Sequence, residues 1–171
     1  MEDINFTLEE MVLEYSYDMC GRTDPDEVQK FIDQGADANY HFTIKDKEFF
    51  PLCRALNVSV ASVLVKNGAD LNKRNSKGQT ALMLNKQASV LRFLVENGAD
   101  VSCVDRQGRN AIFHHAGNIK VMVYLVINGC NPFIKDKAGR TIMHYMDLNK
   151  QKEFHAELSK LKQLIDKNRL H

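Results

Sequence analysis

The sequence contains no tryptophan, only three prolines and no apolar run of about 18 residues, the length that would cross a membrane. Its start, Met1-Glu2-Asp3, is acidic and has no basic region before an apolar stretch, so no secretory signal is expected. The four cysteines stand far apart and never form C-x-x-C, which argues against a zinc knuckle or a redox pair. We therefore expect reduced thiols in a cytoplasmic protein.

The chain also has almost no net charge. Its formal charge is +1, so strong non-specific attraction to nucleic acid is not expected of the whole chain. The charges are unevenly distributed, however. Residues 1–34 contain ten acids and two bases (−8), whereas residues 35–171 contain twelve acids and twenty-one bases (+9). Any basic surface is therefore expected beyond residue 34.

The strongest positive signal is an internal repeat. A five-residue string begins at Gly35, Gly68, Gly98 and Gly129, at spacings of 33, 30 and 31 residues. It reads Gly-Ala-Asp in the first three copies and Gly-Cys-Asn in the fourth. A period in this range indicates a solenoid of stacked supersecondary units.

A second string keeps step with the first. It reads Gly-Gln-Thr-Ala-Leu-Met at 78–83, Gly-Arg-Asn-Ala-Ile-Phe at 108–113 and Gly-Arg-Thr-Ile-Met-His at 139–144, with a degenerate copy, Phe-Pro-Leu-Cys-Arg-Ala, at 50–55. In phase, the two strings resemble the ankyrin repeat, whose signature is T-P-L-H-x-A followed by a helix pair and G-A-D. The resemblance covers roughly residues 24–147. It implies an all-α solenoid of stacked helix pairs with hairpin fingers.

The segments between the strings predict short helices. Apolar residues recur there at i, i+3 and i+4, and each run ends at Asn-Gly, where glycine can adopt the left-handed conformation that closes a helix. Thr80, Asn110 and Thr141 are expected to cap the helices that follow them. The copies are about three residues shorter than usual ankyrin repeats. This shortening predicts a clipped first helix or a very tight turn between the helices.

Residues 1–171 are expected to form one ankyrin-repeat domain with a helical cap at each end. The expected parts are an N-terminal helical cap with the first half-repeat (about 1–34), the repeats (35–147) and a C-terminal capping helix (148–171). The capping box Thr7-x-x-Glu10 and Pro25 at the start of a second helix mark the first part. Phe154 and Leu158, four residues apart between charged residues, mark the last.

Motifs for chemistry are missing. The sequence has no G-x-S-x-G, no phosphate-binding glycine loop and no H-E-x-x-H. Cys53 and Cys130 occupy small core positions of the repeat, and His144 is expected to hydrogen-bond neighbouring backbone as the signature histidine does. We therefore expect no enzyme activity, no cofactor and no metal ion. A thiol or metal enzyme is the least favoured reading, and a reactive Cys53 or Cys130 would reveal it.

The finger tips are basic. Residues 73–79, 104–109 and 135–140 have formal charges of +3, +1 and +2, although Asp105 and Asp136 are expected to bond turn backbone. We interpret this row as a docking surface for an acidic protein. The alternative is that these charges only keep the fingers solvated. The predicted partner-binding residues are Lys73, Arg74, Lys77, Gln79, Arg106, Gln107, Arg109, Lys135, Lys137 and Arg140, together with Phe42 and Phe49 of the longer first finger and His115, with Phe113 and Met83 as further apolar candidates.

The resemblance implies a protein–protein interaction module that holds, masks or inhibits a partner. An inhibitor, an adaptor or an immunity-type protein would fit, monomeric until it binds and without a membrane role. Nucleic-acid binding through the basic fingers is the alternative. It is disfavoured by the near-neutral chain and by the scarcity of aromatic residues between the bases.

Overall fold

The structure is a computed structural model that describes residues 24–33, 35–44 and 47–168. Within these residues, helices stack in pairs along the chain, which confirms the all-α solenoid. The predicted capping box at Thr7–Glu10 lies outside the described residues. The helices are α1 (Pro25–Asp33), α2 (Pro51–Arg54), α3 (Val58–Lys66), α4 (Ala81–Leu84), α5 (Ala88–Glu96), α6 (Ala111–His114), α7 (Ile119–Ile127) and α8 (Leu148–Asn168), with a 3₁₀ turn at Ile142–Tyr145 and a two-stranded hairpin of β1 (Phe42–Ile44) and β2 (Lys47–Phe49).

The stacking follows the position of each helix within its pair. The first helices form one layer, in which α2 packs on α4 and α4 on α6, and the second helices form another, in which α1 packs on α3 and α3 on α5. Leu64, Leu94 and Leu125 are fully buried between the layers. The last helix, α8, packs against α7 and buries Phe154 completely. The core is thus one continuous apolar strip along the array.

The first helix of each pair is only one turn long. Helices α2, α4 and α6 have four residues each, whereas α3, α5 and α7 have nine. In the fourth copy the first helix is reduced to the 3₁₀ turn. The prediction of a clipped first helix is confirmed. Such short helices are unstable alone and depend on their neighbours.

The second helices end as their Asn-Gly sequences predict. Gly68 and Gly98 have φ angles of +84° and +94°, in the left-handed region. The amide after each glycine donates to a carbonyl of the last turn, as in the 2.9 Å bond from Ala69 N to Leu64 O. This arrangement closes the helix and turns the chain into the next finger.

The predicted caps of the first helices are wrong in their chemistry. Thr80, Asn110 and Thr141 stand at the N-cap positions, but none forms a side-chain cap bond. The Thr80 hydroxyl is buried and has no hydrogen-bond partner within residues 24–33, 35–44 and 47–168. The Asn110 amide instead donates to the Asn131 carbonyl of the next finger at 2.8 Å. Each of these single helical turns is stabilised by packing on the first helices of neighbouring repeats. It therefore does not depend on a side-chain cap from Thr80, Asn110 or Thr141.

Side chains from the following repeat satisfy carbonyls of the short first helices. Asn85 donates its amide to Ala55 O at 2.9 Å and to Leu52 O at 3.3 Å. One repeat later, at the equivalent position, the ring Nε2 of His115 lies 2.8 Å from Leu82 O. Since a carbonyl only accepts, His115 is the donor. Asn85, His115 and the residues whose carbonyls they bond are all buried, so each bond satisfies a carbonyl that is shielded from solvent.

The C-terminal helix does the same for the last turn. Gln151 of α8 donates its amide to Met143 O at 3.0 Å and to Met146 O at 2.9 Å. A polar side chain from the next element therefore caps the first helix in three of the four copies. These side-chain bonds supply donors to carbonyls that a further helical turn would otherwise satisfy in a longer first helix.

Candidate functional site: the finger tips and the concave face

We define the second, third and fourth fingers as residues 68–80, 98–110 and 129–141. Each turns around a side chain that accepts two backbone bonds. Asp105 Oδ1 accepts from the amides of Gln107 (2.8 Å) and Arg109 (3.0 Å). Asp136 and Asn75 accept in the same way in their fingers. The expectation that both aspartates bond turn backbone is confirmed.

Adjacent fingers are joined by their backbones. Arg106 N donates to Lys77 O at 2.9 Å, and Lys137 N donates to Gln107 O at 2.8 Å. These bonds run between the tips, where the predicted binding residues lie. The tips are therefore held at a fixed spacing rather than moving as independent loops.

Two predicted binding arginines are engaged inside their own fingers. Arg109 Nη2 lies 2.8 Å from Asp105 Oδ2, and the Asp105 side chain is almost wholly buried. Arg140 Nη2 lies 3.4 Å from Asp136 Oδ2, and its guanidinium packs over the Tyr145 ring at 4.9 Å. Both side chains therefore stabilise the finger turn that carries them.

Arg74 and Gln79 are also engaged. Arg74 donates from Nε to Gly78 O at 3.2 Å and from Nη2 to Val104 O in the third finger. The Gln79 side chain accepts from the Asn75 amide at 3.1 Å. Arg74 thus links two fingers, and Gln79 belongs to the turn of the second.

The remaining bases of the tips are unpaired. Lys77, Arg106, Lys135 and Lys137 are exposed and Lys73 is half-buried. Toward the described residues, none of these five side chains forms an ion pair or a hydrogen bond. They are the cations of the row that remain available to another molecule.

The aspartates of the finger turns are charged, and each is paired within its own copy of the repeat, Asp105 with Arg109 and Asp136 with Arg140. Burial acts to raise the pKa of Asp105, but hydrogen bonds from Arg109 and Gln107 outweigh it and hold that pKa below its ordinary value. Asp105 Oδ2 also lies 3.0 Å from Nε2 of His114. Asp136 accepts a bond from the Tyr145 hydroxyl, which lowers its pKa. Both carboxylates are thus ionised and internally satisfied.

His115 lies inside the array, not on its surface. Its side chain is 6% exposed. Burial lowers the pKa of His115 to about 4, and the nearby Lys86 and His114 act in the same direction. The ring is therefore neutral at pH 7 and serves as a buried donor. In the free protein it offers no contact to a partner.

The first finger, residues 35–50, is three residues longer than the second and carries the hairpin of β1 and β2, which packs on the second finger. In the hairpin register, Phe42 pairs with Phe49. Glu48 accepts from the amide of Ser76, and its other oxygen lies 2.9 Å from Nδ1 of His41. Hydrogen bonds from Ser76 lower the pKa of Glu48, so this carboxylate is ionised. The hairpin of this longer finger is therefore hydrogen-bonded to the second finger through Glu48.

A cleft lies between the hairpin and the second finger. Its volume is ≈ 170 Å³. Phe49 is half-buried at its edge, and the Arg54 guanidinium packs over that ring at 5.5 Å. The cleft is lined by Lys47, Glu48, Phe49, Asn75, Lys77, Gln79 and Leu84. Among the predicted residues, the structure brings Phe49, Lys77 and Gln79 together here. The sequence signal for this cleft was the length of the first finger, whereas Arg54 and Leu84 were not predicted.

The other singled-out residues have different places. Met83 is fully buried, and Phe113 is half-buried with its ring 5.8 Å from that of Tyr145. His144 is exposed and packs edge-on against Tyr145 at 5.8 Å. Its expected backbone hydrogen bond is absent from the described contacts, so that prediction is wrong. In this copy the short helix is a 3₁₀ turn, and the His144 ring packs on the Tyr145 ring instead of bonding backbone.

The described thiols lie in environments that disfavour the thiolate. Burial raises the pKa of Cys53 well above its ordinary range and that of Cys130 to about 11. In the described ranges, no group of three or more His, Cys, Asp or Glu side chains is arranged to hold a metal ion. No described helix combines the length and apolar character needed to span a membrane.

Comparison with known proteins identifies one family. A family model described as ankyrin repeats (3 copies) matches residues 52–136. The match covers the second and third fingers with their helix pairs and ends within the fourth finger. A comparison with curated proteins gave no significant match.

Proposed function

Because the chain belongs to the ankyrin-repeat family, whose members generally mediate protein–protein interaction, we propose that it binds an acidic surface of a partner protein. The contact is made by the finger tips and the concave face that the fingers and first helices form. The protein is a cytoplasmic monomer until it binds. It acts by covering or holding its partner, as an inhibitor, an adaptor or an immunity-type protein does.

The observation that supports this proposal is the row of unpaired cations on joined finger tips. Lys77, Arg106 and Lys137 are exposed and lie on three successive fingers that backbone bonds hold together. A single exposed ion pair contributes about 0–1 kcal/mol. A row at fixed spacing adds several such pairs and accelerates encounter with an acidic surface.

The test is affinity capture with three baits, followed by mass spectrometry. The first bait is wild type, and the second is the triple variant Lys77→Glu, Arg106→Glu and Lys137→Glu. These side chains bond no described group, so the fold is expected to survive reversal. The third bait is a control with the same charge change on exposed lysines of α3, α7 and α8, namely Lys66→Glu, Lys120→Glu and Lys152→Glu.

We expect one protein to be retained by wild type and by the control, and lost by the finger variant. A protein retained equally by all three baits would place its site elsewhere and contradict the role of the tips. Retention of nucleic acid, released steeply by salt, would contradict the protein-binding proposal.

A further inference from the structure

We propose that the cleft between the first hairpin and the second finger anchors one apolar side chain of an acidic, extended segment of the partner. This inference rests on the proposed function and deepens it. It assigns the partner a chemistry, carboxylates next to a large apolar residue, and it locates the main contact at one end of the finger row.

The size of the cleft favours a single side chain. Its volume is ≈ 170 Å³, whereas pockets for whole small molecules have about 300–1,000 Å³. Phe49 and Leu84 are half-buried and line it with apolar surface. An apolar side chain that enters between them loses contact with water on both sides, which stabilises the complex.

The charges around the cleft select the flanking residues. Lys47 and Lys77 are exposed at its rim and pair with no described residue. The single acid of the lining, Glu48, already binds Ser76 and His41. The rim therefore presents two available cations, which match carboxylates and disfavour a basic segment.

A comparison along the array explains why this end is the anchor. Position by position, Arg54 of α2 corresponds to Leu84, His114 and Tyr145. In the third and fourth copies the side chain at this position bonds the finger aspartate, His114 to Asp105 and Tyr145 to Asp136.

Among the described residues, the first copy offers no such partner to its cation. Arg54 packs over Phe49, and its Nε is buried and bonds no acceptor in the part of the chain that the structure describes. A buried donor that lacks an acceptor is unfavourable, and a carboxylate is the strongest acceptor for a guanidinium. At this position the side chains of the third and fourth copies are therefore hydrogen-bonded, whereas the Nε of Arg54, beside the cleft, is not.

The absence of tryptophan from the chain allows a direct test. A Phe49→Trp variant carries its only indole in the cleft, and tryptophan keeps the cation–π contact with Arg54. The probe is a synthetic peptide of alternating Glu and Leu. A second peptide, in which Ser replaces Leu, has the same charge. The control protein is Phe133→Trp, whose reporter replaces a side chain 67% exposed in the fourth finger.

We expect the Glu-Leu peptide to shift the emission of the Phe49→Trp protein in a saturable manner and to leave the Phe133→Trp emission unchanged. The Glu-Ser peptide is expected to bind about tenfold more weakly, since it lacks the apolar side chain. Added to the Phe49→Trp protein, the pair Lys47→Gln and Lys77→Gln is expected to weaken binding about tenfold. The matched pair Lys120→Gln and Lys152→Gln, at exposed lysines outside the fingers, is expected to change it less than about twofold, through long-range attraction only.

Equal losses from the two lysine pairs would overturn the cleft as anchor. Equal binding of the two peptides would overturn the apolar contact, and no saturable shift would overturn both. In each of these cases the capture experiment still decides whether the finger tips bind a protein. The failure of this inference is therefore distinguishable from the failure of the proposed function.

Discussion

At the residue scale, one histidine connects folding to pH. His115 donates to Leu82 O from inside the array, and burial lowers its pKa from 6.5 to about 4. The unfolded chain therefore takes up this proton at a higher pH than the folded chain does. The stabilising effect is fully present above pH 6.5 and is lost as the pH falls toward 4.

We predict that the free energy of unfolding decreases by about 3 kcal/mol through His115 between pH 6.5 and pH 4. The lowered pKa of His114, which burial also causes, acts in the same direction. Urea unfolding at several pH values measures the slope. The control is His115→Asn, because asparagine occupies the equivalent position, Asn85, one repeat earlier. An identical slope in that variant would contradict the assignment to His115.

At the element scale, the clipped helices depend on the repeat that follows them. We predict that Asn85→Ala lowers the free energy of unfolding by about 1–3 kcal/mol, because it leaves the buried Leu52 and Ala55 carbonyls without partners. The matched change Asn149→Ala lies on the exposed side of α8 and is expected to stay within about 0.5 kcal/mol. Chemical denaturation compares them. Equal effects would show that the cross-repeat bonds contribute nothing.

The sequence predicted these elements better than it predicted their connections. Local spacing in the sequence was enough to predict the repeat period, the Asn-Gly helix ends and the one-turn first helices. This spacing can be read from a single sequence. The partners of Asn85 and His115 lie 30 to 33 residues earlier, so no local pattern reveals them. The prediction of Thr80 as a cap failed for the same reason. Its position before a helix is visible in the local sequence, whereas the contacts with other repeats that hold this turn are not.

The candidate site shows the same division. Basic residues at the tips were visible in the sequence, but which of them are available was not. Arg109 and Arg140 are engaged by aspartates four residues earlier, and Arg74 by a carbonyl 30 residues later. Charge counting treats all of these arginines alike. Only the folded array separates the cations that stabilise fingers from the cations that remain available.

At the scale of the whole molecule, each repeat is stabilised by its neighbours on both sides. We predict that Leu94→Asp unfolds much of the array, because a buried unpaired charge disrupts the core of α5 and its packing on the adjacent helices. The control is Leu148→Asp, the same change at a side chain 64% exposed. Circular dichroism and thermal melting compare the variants. A Leu94→Asp protein that melts cooperatively at the wild-type temperature would contradict the proposed core.

The bonds from Asn85, His115 and Gln151 all run backward along the chain, from a later element to an earlier one. This set of caps therefore has a single direction along the chain. During synthesis, α2 is made before Asn85, the residue that caps it, and α4 is made before His115. Loss of the repeat that carries Asn85 or His115 therefore removes a cap from the repeat made before it, and removes no such cap from the repeat made after it.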